Sequence, residues 1–427
     1  MSARRRVAVI GAGWAGLAAA VQACADGAAV TLFEMAHHAG GRARSVTTGG
    51  LAFDNGQHII IGAYRETLRL MQMVGVEPHQ VLHRQPLELT YPDGSGLRLT
   101  HGDVRLAFAR AVIGARGWGW GERWSLLRQT ISWARNGMRN PGVETVAQLC
   151  ATLPARVRAD LIEPLCVAAL NTPATQASAT VFLRVLADAL FGGPGSSNLL
   201  LPMAGLSRLF PQPALEWLAR QGITQRFGHR VRTIERRPQG TWSIDDECFD
   251  AAVIACSAIE AARLASTLNP EWSACAAALR YEPIATVYLR RRERRLPSPM
   301  LALRSSAERP AQFAFDLGVL GVHPDLVAFV VSGASDWLGR GLPALAAAVQ
   351  RQAASQLPAS FADPPEVVHT AMERRATFVC RPSLARPSSV IASGVWAAGD
   401  YVDGPYPATI EGAVRSGVQA ARAILAA

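Results

Sequence analysis

Residues 6–34, RVAVIGAGWAGLAAAVQACADGAAVTLFE, constrain the fold more than any other part of the chain. Val7, Ala8, Val9 and Ile10 form a short apolar β run, and Gly11, Gly13 and Gly16 then complete a G-x-G-x-x-G pattern. A small-residue helix follows to about Ala25, and a second strand, Val30 to Phe33, ends on Glu34. Strand, glycine turn, helix, strand and acid in that order are the layout of a dinucleotide-binding β-α-β unit. Gly11 permits the tight turn, Gly13 lets backbone approach a pyrophosphate, and Gly16 lets the helix pack close to the strand. The helix N-terminus offers unpaired N–H groups and a positive dipole end to phosphate. Glu34 is placed to accept hydrogen bonds from ribose hydroxyls, and its charge repels a 2′-phosphate. Taken alone, the unit admits NAD and FAD equally.

The 427 residues suit two domains better than one. Every cationic side chain is arginine, since the chain has no lysine, and the net charge is +10. Schiff-base, P-loop and lysine-base chemistries are thereby excluded. No nucleic-acid-binding motif accompanies the positive charge, so a nucleic-acid partner is not expected. The seven cysteines are dispersed and form no C-x-x-C pair, which suits reduced thiols and predicts no metal site. The basic start followed by an apolar run imitates a leader peptide, but the run contains the glycine turn and reads as the first strand. No uninterrupted apolar stretch is long enough to predict a transmembrane helix.

Further along, Gly40 and Gly41 precede Arg42 and Arg44, a loop suited to phosphate. An Asp54-Asn55-Gly56 turn leads Gln57 and His58 into a new helix or strand, and residues 86–99 read as a hairpin. Segment 104–140 interleaves Trp118, Trp120, Trp124 and Trp133 with arginines. Tryptophan and arginine both favour a membrane–water boundary, so an interfacial segment and a helical lid on the core are both open readings. A helix is expected over 207–221, a strand over 223–234 with Val231 at its centre, a hairpin over 242–254, further strands within 281–332, a helix over Leu342–Gln356 and a strand over 364–372. At the far end, 394–423 reads as strand, Gly399-Asp400, loop, and a helix from about Ala408 with Thr409 and Glu411 in its first turn.

These motifs, in this order, resemble the FAD-dependent amine oxidase and phytoene desaturase superfamily. Within it, FDNGQHIIIGAY (residues 53–64) and WAAGDYVDGPYPATIEGAVRSG (residues 396–417) look most like the squalene-associated desaturases, the hydroxysqualene dehydroxylase group. The resemblance implies an α/β fold: a Rossmann-like FAD-binding domain of residues 1–80, 201–275 and 380–427. Residues 81–200 and 276–379 are then an inserted substrate domain of mixed sheet and helices. It implies FAD, with Gly11, Gly13, Ala15, Gly16 and Glu34 on the ADP half and Gly41 and Arg42 along the pyrophosphate and ribityl chain. Gly56, Gln57 and His58 would approach the flavin, and Val231 the adenine. Gly399 and Asp400 would hold the ribityl chain or pyrophosphate. Thr409, Ile410 and Ala413 would face the pyrimidine end of the ring system, where a helix N-terminus favours negative charge. Many amine oxidases of this superfamily place a lysine near the flavin, which this chain lacks.

The implied reaction is reductive removal of the hydroxyl of hydroxysqualene, giving squalene in hopanoid biosynthesis. The implied partners are a long apolar isoprenoid and a membrane surface, and the implied location is peripheral, on the cytoplasmic face of the inner membrane. His58, Asp403 and Tyr406 are the candidate proton donors. A carotenoid-type desaturase and a non-catalytic flavoprotein carrier are the alternatives. The reductant of the flavin is left open, because no second dinucleotide fingerprint is present.

Overall fold

The computed structural model describes residues 4–292, 294–361 and 364–426. A six-stranded sheet runs in the order Thr224–Phe227, Ala29–Glu34, Arg6–Ile10, Ala251–Ile254, Val395–Ala397, Val390–Ala392. Its first five strands are parallel and the last pairs antiparallel. Val7, Ala8 and Val9 are fully buried, as the central strand of a sheet covered on both faces requires. Residues hundreds of positions apart therefore build one sheet.

The helix Trp14–Ala25 packs against the terminal helix Ile410–Ala426. Their approach is close enough that a Cβ on Gly417 would lie 2.1 Å from the Ala15 carbonyl oxygen. A second, antiparallel sheet has the order Met300–Ala302, Phe313–Asp316, Leu326–Ser332, Tyr281–Arg290, Glu366–Phe378. Its side chains alternate with the pleat. Ala285, Val287, Leu289, Val327 and Phe329 share a cluster with Leu345 and Val349 of the helix Leu342–Gln356. Tyr288, Phe313, Phe315 and Val330 belong to the opposite cluster, which faces the helical residues 104–191.

Several expectations change. The helix expected over 207–221 is two helices, Leu206–Leu209 and Pro211–Arg220, because Pro211 begins a new first turn. Val231 lies outside any strand: strand Thr224–Phe227 stops at Gly228, which has a φ of +69°, and the Asp245 carboxylate accepts the N–H groups of Arg232 and Thr233. Gln57 and His58 sit in irregular backbone before the two-residue strand Ile60–Ile61. The tryptophan segment is a helix pair, Val104–Ile113 and Trp120–Arg135, and it splits the two readings. Trp118 and Trp133 are core residues, whereas Trp120 and Trp124 are exposed. Among the described residues no helix is long and apolar enough to cross a membrane.

Candidate active site

A cavity of about 500 Å³ opens where the parallel strands end, lined by Ile10, Phe33, Glu34 and Ala255, and extends under the second sheet to Ile284, Phe313, Phe315 and Val330. The carboxyl edge of a parallel sheet is where such folds bind nucleotides. The three glycines meet different surroundings. Gly11 has a φ of +111°, and a Cβ there would lie 2.7 Å from the Ala255 carbonyl oxygen. At Gly16 a Cβ would lie 1.8 Å from the Gly11 carbonyl oxygen, so this residue faces the turn and not the cavity. A Cβ on Gly13 would meet only Gly41 Cα, at 3.9 Å. Protein packing does not demand the glycine at position 13, and the space its bareness leaves belongs to the cavity.

Gly13 caps the helix Trp14–Ala25 without a side-chain hydrogen bond, and no acid stands in the first turn. The positive helix end, with Ala15 on the cavity wall, is left to a ligand. Glu34 accepts the Ala12 N–H at 2.7 Å and the Ala36 N–H at 2.8 Å, which fixes the glycine turn at the cavity wall. Gly41 and Val231 also line the cavity, and the Val231 carbonyl accepts from Arg263 Nη2 at 2.7 Å. Arg263 and Arg230 both bond Glu260; burial raises the Glu260 pKa, but these two bonds outweigh burial and hold it below the usual carboxylate range.

Arg42 joins the two ends of the chain. Its Nη2 lies 2.5 Å from Asp400 Oδ1, and its Nη1 donates to the Ala376 carbonyl at 2.7 Å. Asp400 is buried, and Gly399 N–H donates to Ser416 Oγ at 2.8 Å. Thr409 Oγ1 accepts the Gly412 N–H at 2.9 Å, so it caps the terminal helix, whose first turn brings Ile410 and Ala413 to the cavity. Glu411 does not cancel this helix end. It is fully buried and accepts the N–H groups of Glu66 and Thr67, capping the helix Arg65–Met73 instead.

Gly56, Gln57 and His58 reach the cavity. A carbonyl only accepts, so the 2.8 Å contact between His58 Nδ1 and the Gly56 oxygen makes Nδ1 the protonated nitrogen of the neutral ring. Burial holds the His58 pKa below the usual imidazole value. Asp403 and Tyr406 lie off the cavity wall. The Asp403 side chain is 71% exposed and pairs with Arg386, and the Tyr406 ring lies under the Arg415 guanidinium at 4.6 Å. They stand in the DGPYP loop after Gly399-Asp400, but the Ala408 N–H bonds back to the Asp400 carbonyl at 3.1 Å, so the loop closes at its base and Asp403 and Tyr406 lie off the cavity.

The polar cavity residues that sequence reasoning does not single out as site residues include Asn55, Tyr64, Asn171, Glu373 and Tyr401. Asn55 Nδ2 donates to Glu373 Oε2 at 2.9 Å. Asn171 bonds the Glu282 carbonyl, Thr377 Oγ1 and the Gly333 N–H, fastening the helix Glu163–Leu170 to the second sheet. Tyr64 falls inside a motif already singled out, but nothing in its spacing separates it from its neighbours. Burial keeps both tyrosines as phenols, and the Tyr401 hydroxyl has no partner within the described protein. An orphaned buried hydroxyl, a glycine cradle and two helix N-termini on one cavity fit a ligand with a diphosphate and a polar ring edge.

Fold and site together define a flavin-dependent oxidoreductase. Residues 14–425 match the model of the family described as flavin containing amine oxidoreductase, and the chain belongs to that family. The cofactor is FAD. The chain is 27% identical, over 98% of its length and 97% of the other's, to a hydroxysqualene dehydroxylase of Sinorhizobium fredii. It is 24% identical to a 4,4′-diaponeurosporene oxygenase of Staphylococcus aureus over 55% of this chain and 52% of that one. An oxidoreductase from Methanosarcina mazei superposes with a TM-score of 0.74 at 15% identity, covering 98% of this chain and all of that one, which shows a shared fold.

Proposed function

We propose that the protein reduces hydroxysqualene to squalene, with loss of the allylic hydroxyl as water. The observation that carries this reading is the composition of the cavity beyond the nucleotide half. Val167, Ala168, Ile284, Phe313, Phe315 and Val330 form an apolar compartment that suits a hydrocarbon chain. The relative named for this reaction supports the same substrate class. FAD, when bound and reduced, supplies hydride. The balance is simple: the C–O bond breaks, a proton and the hydroxyl leave as water, and hydride forms the new C–H bond.

The chain's own task is to deliver that proton and keep the cationic carbon dry. His58 is the candidate donor that reaches the cavity, and we assign it the leaving hydroxyl. Its Nδ1–H is committed to Gly56, so the proton must leave from Nε2. Burial disfavours the imidazolium and makes it a stronger acid once formed. An acid catalyst works only while protonated. Turnover should therefore fall as pH rises through a pKa below the usual imidazole value, and His58→Gln should lower kcat about 100-fold or more and flatten that limb. A His58→Gln enzyme with wild-type kcat and pH profile would remove His58 from the mechanism.

The alternative is a carotenoid-type desaturase running in the oxidative direction, a reading the diaponeurosporene relative favours. Purified holoenzyme, reduced with dithionite without oxygen and given hydroxysqualene, should yield squalene by mass spectrometry. No squalene while FAD stays bound would overturn the proposal. Bleaching of the oxidised enzyme by a polyene precursor would establish the alternative. Because so apolar a substrate partitions into lipid, the enzyme should work peripherally, at a membrane surface.

A further inference from the structure

We propose that the helices Val104–Ile113 and Trp120–Arg135 form a docking face for an anionic phospholipid bilayer, an inference that rests on the apolar substrate proposed above. Each helix has two apolar faces where a surface helix needs one. The inward faces bury Val104, Ala107, Ala111 and Val112 on one helix and Leu126 and Trp133 on the other. The outward faces carry Leu106 at 57% exposure, Ile113 at 45%, Trp120 at 63%, Trp124 at 64% and Ile131 at 52%. Their spacings, 106 to 113 and 120, 124, 131, keep each set on one stripe of its helix. An outward stripe of this size on a chain of marginal stability calls for an apolar surface to cover it.

Charge identifies that surface. Segment 103–140 holds seven arginines and two carboxylates. Both carboxylates are consumed as helix caps: Asp103 accepts the N–H groups of Arg105 and Leu106, and Glu122 accepts the Gly119 N–H at 2.7 Å. Arg110, Arg116, Arg128 and Arg135 are exposed, and the Arg123 guanidinium lies 4.9 Å from the Trp120 ring centre. A second copy would oppose this face with its own arginines, which like-charge repulsion disfavours. Anionic headgroups above an acyl layer satisfy arginine and tryptophan at once. The face is also joined to the cavity. Trp118 Nε1 donates to Asp160 Oδ2 at 3.2 Å, and Asp160 lies in the π-helical turn Arg158–Ile162, which runs directly into the helix bearing Val167 and Ala168.

The test uses full-length holoenzyme and sedimentation with two kinds of vesicle, phosphatidylcholine alone and phosphatidylcholine mixed with phosphatidylglycerol. Wild type should bind the anionic vesicles preferentially, and salt should weaken the binding. R110Q/R128Q should lose about five-fold in affinity per arginine. W120S/W124S should lose binding to both vesicle types while keeping wild-type turnover on detergent-dispersed hydroxysqualene. Trp118 and Trp133 are left alone because they are core residues. Equal binding to both vesicles, or variants that bind like wild type, would overturn the proposal. So would a wild type that ignores vesicles but sediments as a dimer that W120S/W124S dissociates. Turnover in detergent reports on the dehydroxylation separately, so either reading can fail without the other.

Discussion

Gly16→Val should abolish flavin binding and cost about 3 kcal/mol or more of stability. The existing backbone leaves no place for the side chain. Its Cβ would sit 1.8 Å from the Gly11 carbonyl oxygen and 3.2 Å from the Ala255 Cβ, and neither can swing away as the tip of a long side chain would. Relief requires the helix Trp14–Ala25 to move off the sheet, which takes the uncapped N-terminus and Gly13 with it. The measurements are visible absorbance of the purified protein and thermal unfolding. Gly121→Ala is the control, because a Cβ there meets nothing within 4 Å at the second residue of its helix, and it should leave stability unchanged or raise it by less than ~1 kcal/mol. A Gly16→Val protein that purifies yellow with normal stability would show that the turn does not form the nucleotide site.

Arg42→Met should produce the second largest loss, and its partner separates two causes. Removing the guanidinium leaves the Asp400 carboxylate, 8% exposed, without its cation, at a cost of about 1–3 kcal/mol. If Arg42 were only a strut, R42M/D400N would restore both stability and flavin content, since the pair would be neutralised together. A residue that also faces the diphosphate behaves differently. Stability should recover in the double variant while flavin occupancy stays low, a non-additivity that a double-mutant cycle reads directly. Full flavin content in Arg42→Met alone would reduce the residue to a structural tie.

Legibility from sequence tracked how local the cause was. The β-α-β unit is readable because Gly11 and Gly16 answer to a neighbour a few residues away or to the sheet beside them. The helix Leu342–Gln356 was readable because Pro358 lies just beyond its end. Val231 was misread because an apolar residue between β-rich flanks imitates a strand, while the carboxylate that holds its segment irregular comes from Asp245 across a loop. Asn171 and Glu373 could not be found at all. Their partners are Thr377 and Gly333 for one and Asn55 for the other, contacts of long sequence separation. The tryptophans were legible as a composition but not individually. Only helical phase decides that Trp133 is buried and Trp124 is not.

The packing of Gly417 against Ala15 bears on how this protein is made. The strand, turn and helix of residues 6–34 emerge from the ribosome early, but they hold one wall of the site and wait for its opposite. Until residues 399–417 have also emerged, there is no Asp400 for Arg42, no second helix end, and no cover for the face of the first helix that meets Gly417. The first helix meets the sheet and the helix Pro211–Arg220, but it keeps one alanine-rich face uncovered until then. FAD capture should therefore wait for both halves of the site, and FAD supply should govern how much of the protein survives in the cell.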